Sequence, residues 1–123
     1  MIVIDYQNRK PIYEQIVDRF QMLIIKGILE PDSQMPSVRN LAAELSINPN
    51  TIQKAYGVLE REGFLYSVKG RGNFVSGNQE LSAKKKLTYF KEFNNLLKQG
   101  QEIGVSMEEC IEQVKCFYKE DQT

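Results

Sequence analysis

A chain of 123 residues holds one domain, or one small domain with an appendage, and 41% hydrophobic residues limit it to a modest core. Its 16 Lys/Arg balance 16 Asp/Glu, with 9 and 8 of them in residues 1–77, so a nucleic-acid partner must be argued from local placement and not from net charge. There is no histidine, which removes Ser-His-Asp triads, imidazole bases and imidazole metal ligands; with only two Cys, no nucleophile beside a base and no glycine-rich phosphate loop before a helix, neither an enzyme nor a metal or other cofactor is expected.

Cys110 and Cys116 fall about 240° apart on a helix, too far round to pair or to share a metal. No apolar run approaches the roughly 20 residues that span a bilayer, and Phe20 to Ile25 is bounded by Arg19 and Lys26. Asp5, Arg9 and Lys10 interrupt the N-terminus where a signal segment would need apolar residues. A cytoplasmic location without a membrane partner is expected.

Met1 to Asp5 is short and β-branched and reads as a brief strand. Pro11 then opens a helix with Ile12, Ile16, Phe20, Leu23 and Ile24 on one stripe, widened by Tyr13 and Val17 and closed by Gly27. Ile28 to Met35 reads as a loop around Pro31-Asp32-Ser33. Ser37 caps a second helix with Asn40 at its third position, and Val38, Leu41, Ala42 and Leu45 face inward. Arg39 lies in the first turn, where the helix dipole favours acids. A cation there suits an external anion such as a phosphate; a solvated surface arginine is the plainer alternative.

Ser46-Ile47-Asn48 makes a three-residue turn, with Ile47 as an apolar plug, into the helix around which the chain is organised. Asn48 is a good N-cap, Pro49 suits the first helical position, and Gly63 suits the position past the end. Ile52, Ala55, Tyr56 and Leu59 share one face. At about 100° per residue the opposite face collects Asn50, Gln53, Lys54, Gly57 and Arg61, which are partners for base edges and phosphates. A short helix, a tight turn and a second helix with a polar outer face form the helix-turn-helix arrangement.

Phe64 to Val68 and Asn73 to Ser76 read as two strands joined by a basic turn, Lys69-Gly70-Arg71-Gly72. Such a tip brings backbone close to a phosphate while Arg71 enters a minor groove. Ser76-Gly77-Asn78 marks a boundary, giving domains 1–77 and 78–123. From Gln79 to Gln99 a long helix carries Leu87, Phe90, Phe93 and Leu97 on one face with Tyr89 and Leu96 beside it, and Gly100 ends it. Ser106-Met107-Glu108-Glu109 is a capping box opening a last helix with an apolar stripe of Met107, Cys110, Ile111, Val114, Phe117 and Tyr118. Two such helices cannot close a core alone, so they must pack on the first domain, on a second copy, or on both. Lys84-Lys85-Lys86 reads as a solvated helix face.

The segments Pro11 to Ile16, Met35 to Ala42, Asn48 to Ile52 with Leu59 to Phe64, and Gly70 to Val75, in that order, resemble the winged helix-turn-helix domain of the GntR family of bacterial transcription factors. The fold class expected is mainly α with a small β wing. The 46 residues after Gly77 are too few for a large effector domain, and the two-helix tail is similar to that of the YtrA subfamily, whose members often repress neighbouring ABC-transporter operons. The resemblance implies double-stranded DNA and a second copy of the chain as partners, repression from a palindromic operator, and an effector of unknown identity if there is one. By position it implies DNA contacts at Arg39, Asn48, Asn50, Thr51, Gly70 and Arg71; the polar face of the helix adds Gln53 and Lys54. Many family members carry arginine where this chain has Pro49 and Gln53, which weakens guanine readout there and favours adenine at Asn50 or Gln53. A winged-helix module that binds protein and not DNA is the alternative.

Overall fold

The computed structural model describes residues 2–77 and 79–121. Met1 of the expected strand and Asn78 of the expected boundary lie outside the described residues. The elements run α1 (Ile12–Ile25), α2 (Val38–Leu45), α3 (Pro49–Arg61), β1 (Leu65–Val68), β2 (Gly72–Val75), α4 (Leu81–Glu102) and α5 (Met107–Asp121). This is the helix-turn-helix with a two-stranded wing and two C-terminal helices.

Helices α1 to α4 end with one device. A residue with positive φ just past the helix lets the next amide reach back five residues: Ile28 to Leu23, Ile47 to Ala42, Phe64 to Leu59 and Val105 to Gly100, all at 2.8–3.0 Å. Glycine supplies that residue at Gly27, Gly63 and Gly104, whereas Ser46 supplies it in the turn between α2 and α3 at φ 55°. A side chain in that conformation is strained by roughly 1 kcal/mol or more. The turn tolerates this because it must deliver Ile47 to the core, where it is half-buried.

The chain forms two compact units, the first ending at Ser82 and the second beginning at Ala83. The division falls after the expected boundary at Gly77 because Leu81, the first residue of α4, is buried with the core of the first unit and reaches the backbone at Gly63. That core is α1 packed on α3, with Ile16, Phe20 and Leu23 meeting the buried stripe Ile52, Ala55, Tyr56 and Leu59. Phe20 and Tyr56 meet edge to face at 6.0 Å between centroids. Each such side chain taken from water contributes about 1.5–3 kcal/mol, so this stripe fixes the orientation of α3.

The expected strand at the N-terminus does not form: residues 2–5 have no regular structure. No strand edge receives them; instead the Gln15 amide accepts the Asp5 N–H at 2.9 Å and donates to the Asp5 carbonyl at 3.0 Å. One side chain thus satisfies the donor and acceptor that a sheet would have satisfied. Ile2 and Ile4 still pack on the core.

The stretch before α2 also departs from expectation. Residues 32–35 run antiparallel along β2, with Asp32 N–H to Val75 O (2.7 Å), Val75 N–H to Ser33 O (2.9 Å), Met35 N–H to Asn73 O (2.8 Å) and a bridge pairing Gln34 with Phe74. The wing therefore has a third strip of backbone on its β2 side. In the second unit α4 runs through Gly100 to Glu102, because the left-handed residue is Gly104 (φ 86°) and not Gly100. The capping box of α5 is formed as expected, Ser106 N–H to Glu109 Oε1 at 3.0 Å and Glu109 N–H to Ser106 Oγ at 3.1 Å.

Candidate nucleic-acid interface

Helix α3 begins where its sequence directs. Asn48 Oδ1 accepts the Asn50 N–H at 2.8 Å, and Pro49 occupies the first helical position, where no amide proton is needed. That bond holds the Asn48 side chain at the helix start and occupies one of the two lone pairs of its oxygen, while its Nδ2 remains a donor. Asn50, Gln53, Lys54 and Arg61 are exposed and Thr51 is half-buried. Among the described residues the amides of Asn50 and Gln53 have no hydrogen-bond partner. The polar face therefore points outward over a fully buried apolar one.

Lys54 is not simply solvated. Its Nζ lies 4.0 Å from the centre of the Tyr13 ring, a cation–π contact that holds the ammonium against α1. Tyr13 in turn donates to Glu14 at 3.2 Å, and that hydrogen bond raises the pKa of its hydroxyl. The ring is a seat for Lys54 that the sequence reading assigned only to the apolar stripe. Helical spacing cannot show it, because the partners lie on different helices.

Helix α2 is capped by Ser37, whose Oγ accepts the Asn40 N–H at 3.0 Å. Its first turn has no acid and carries Arg39, exposed and without hydrogen-bond or ion-pair partner among the described residues. Tyr56 lies under this turn, its hydroxyl donating to Pro36 O at 2.7 Å. The start of α2 is thus tied to the core face of α3.

The wing pairs Leu65 with Val75, Tyr66 with Phe74, Ser67 with Asn73 and Val68 with Gly72. Gly72, expected in the turn, is the first residue of β2, which leaves Lys69, Gly70 and Arg71 as the tip. Arg71 N–H bonds Val68 O at 2.9 Å, closing a tight turn in which Gly70 takes φ 80°. The tip cations Lys69 and Arg71 are exposed, and the Arg71 guanidinium has no partner among the described residues. Side chains brace the hairpin on both flanks. Ser67 Oγ lies 3.0 Å from Glu60 Oε1 of α3, the Tyr66 hydroxyl donates to Asp32 at 2.8 Å, and Gln34 Nε2 donates to Arg71 O at 2.8 Å. The hydrogen bond to Asp32 raises the pKa of Tyr66. Gln34, Asp32 and Glu60 were missed from sequence, since nothing in a lone exposed Gln, Asp or Glu signals its partner.

Every residue expected to meet DNA thus lies in the first compact unit, on α2, the α2–α3 turn, α3 or the wing tip. The groups aimed at solvent are amides and cations, which match base edges and phosphates.

Comparison with known proteins agrees with this chemistry. Residues 12–75 match the family model described as bacterial regulatory proteins, gntR family. The HTH-type transcriptional repressor YtrA of Bacillus subtilis (strain 168) is 41% identical over 117 residues, covering 94% of this chain and 90% of that protein. A GntR family transcriptional regulator from Listeria monocytogenes superposes with a TM-score of 0.74 at 33% identity, covering 91% and 97% of the two chains. The DNA-binding domain of AraR, solved in complex with operator ORR3, matches with a TM-score of 0.53 at 32% identity over 60% of this chain and 89% of that one. These relatives are regulators of transcription, which sets aside the alternative of a protein-binding module. No helix among the described residues is long and apolar enough to cross a membrane.

Proposed function

This chain belongs to the gntR family of bacterial regulatory proteins and is a YtrA-like, DNA-binding transcriptional regulator, and from that premise we propose that it is a cytoplasmic, homodimeric repressor of a palindromic operator. The observation that carries the proposal is the outward face of α3. Two unengaged amides, Asn50 and Gln53, stand over a buried stripe, in one compact unit with the unpartnered guanidiniums of Arg39 and Arg71.

In this reading α3 enters the major groove. Asn50, Thr51 and Gln53 approach base edges, the two free amides favouring adenine by paired contacts to N6 and N7. Asn48 fixes the start of the helix and adds one donor. Arg39 and Lys54 hold phosphates on either side, Gly70 lets the tip backbone approach the duplex, and Arg71 enters the minor groove. Two copies place their recognition helices about 34 Å apart, one turn of the double helix, or a multiple of it. Repression follows from occluding polymerase; an ABC-transporter operon beside the regulator's own gene is the first target to examine.

Footprinting on the DNA upstream of that gene locates the operator. On it, Arg39→Ala weakens binding to all sequences alike and flattens the dependence of affinity on salt by about 0.9 per phosphate contact removed. An Arg39→Ala protein that keeps its affinity throughout a salt titration would remove Arg39 from the interface.

A further inference from the structure

We propose that Gln34, which lies outside the helix-turn-helix and outside the wing hairpin, is the positioning residue that sets where the wing tip stands relative to α2. The proposal rests on the reading of Arg71 as a minor-groove contact. Its ground is a run of four hydrogen bonds on one short segment, three from backbone to β2 and one from the Gln34 side chain. Backbone pairing fixes residues 32–35 against β2 as far as the Gln34–Phe74 bridge and the Met35 N–H to Asn73 O bond. The ladder then stops, and the Gln34 side chain carries the connection onward, its Nε2 donating to the Arg71 carbonyl at 2.8 Å. The same amide nitrogen stands 3.7 Å from where a Cβ on Gly72 would lie, an ordinary contact distance that places it alongside the first residue of β2.

The consequence follows from chain geometry. Gln34 is three residues before Ser37, the cap of α2, and five before Arg39. Met35, between them, is buried. The strip that leads to the unpartnered Arg39 therefore also grips the backbone of Arg71, the exposed cation of the wing tip. Without the grip, the tip depends on one tight turn closed by Arg71 N–H and Val68 O, with Gly70 and Gly72 both at positive φ. A glycine-flanked tip of that kind is free to wander, and ordering it on binding costs affinity. The Gln34 amide bears that ordering cost during folding. It touches no base; it acts through Arg71.

The test is a double-mutant cycle on full-length protein, using a duplex that the wild-type chain recovers from a randomised DNA pool. Gln34→Ala and Gln34→Met both remove the donor, and Met keeps the volume. Both are expected to weaken binding about two- to tenfold, the range of one hydrogen bond, with little change in thermal midpoint because Gln34 is exposed. In an Arg71→Ala background the same changes are expected to cost nothing further. An unchanged affinity for Gln34→Ala beside a weakened Arg71→Ala overturns the positioning role and leaves the wing contact standing. Equal losses in both backgrounds also overturn it, since Gln34 then acts elsewhere. No loss for Arg71→Ala overturns the wing contact itself, and this proposal with it.

Discussion

Tyr56 shows how one residue joins the buried and functional sides of α3. Its ring is part of the core, while its hydroxyl bonds Pro36 O and anchors the segment leading into α2. Tyr56→Phe leaves that carbonyl without its partner and is expected to destabilise the protein by about 1–2 kcal/mol, measured by urea unfolding. Burial pushes the Tyr56 hydroxyl far above the ordinary value of 10.0. The fold therefore favours the protonated form. That part of the stability is complete below the ordinary tyrosine value and is lost as pH rises above it, so Tyr56→Phe should also lessen the loss of stability on the alkaline side. That Tyr56 faces inward was legible from its place beside Ile52, Ala55 and Leu59; its partner was not, because Pro36 lies 20 positions away. The same limit hid the Tyr13 seat for Lys54 and the clasp of Gln15 on Asp5. Periodicity reports which face a residue takes and says nothing about what crosses from another element.

At the scale of elements, glycines were easy to notice and hard to rank. Gly100 and Gly104 both follow an apolar helical pattern, and Gly100 was the natural stop. Val105 decided otherwise: its amide reaches back to Gly100 O, which requires the positive φ at Gly104, and its side chain lies 3.5 Å from where a Cβ on Gly100 would stand. Gly100→Ala therefore adds a helix-favouring methyl in ordinary contact with Val105 and is expected to stabilise the protein by up to about 1 kcal/mol. Gly104→Ala forces a side chain into the left-handed region and is expected to cost about 1 kcal/mol; paired thermal melts followed by circular dichroism check both signs. Helix α3 was legible because stripe, cap and glycine agreed, α1 from its stripe and Gly27, and α2 from its stripe and the Ser37 cap. The strip at residues 32–35 was not, since Pro31, Asp32 and Ser33 are turn-forming residues and only the neighbouring β2 makes the stretch extended.

At the scale of the whole molecule, the second unit carries large apolar side chains that its own two helices leave open. Leu87 is 65% exposed, Phe90 54%, Phe117 64% and Tyr118 60%. Water is a costly neighbour for a patch of that character, and the second copy of the proposed dimer is the partner expected to cover it. The double change Leu87→Glu with Phe90→Lys is expected to halve the mass seen by analytical ultracentrifugation and to weaken operator binding by about 100-fold or more, because two tethered half-site contacts become separate ones. A variant that remains dimeric would place the interface elsewhere. Charge bears on the same scale. Helices α1 and α5 open with acids, whereas α2, α3 and α4 have none in their first turns. In the proposed complex it is α2 and α3 that meet the duplex with no acid at their positive ends, and anything bound only by the native form deepens its stability. Operator DNA is then expected to raise the thermal midpoint of the protein by a margin that grows with the DNA concentration.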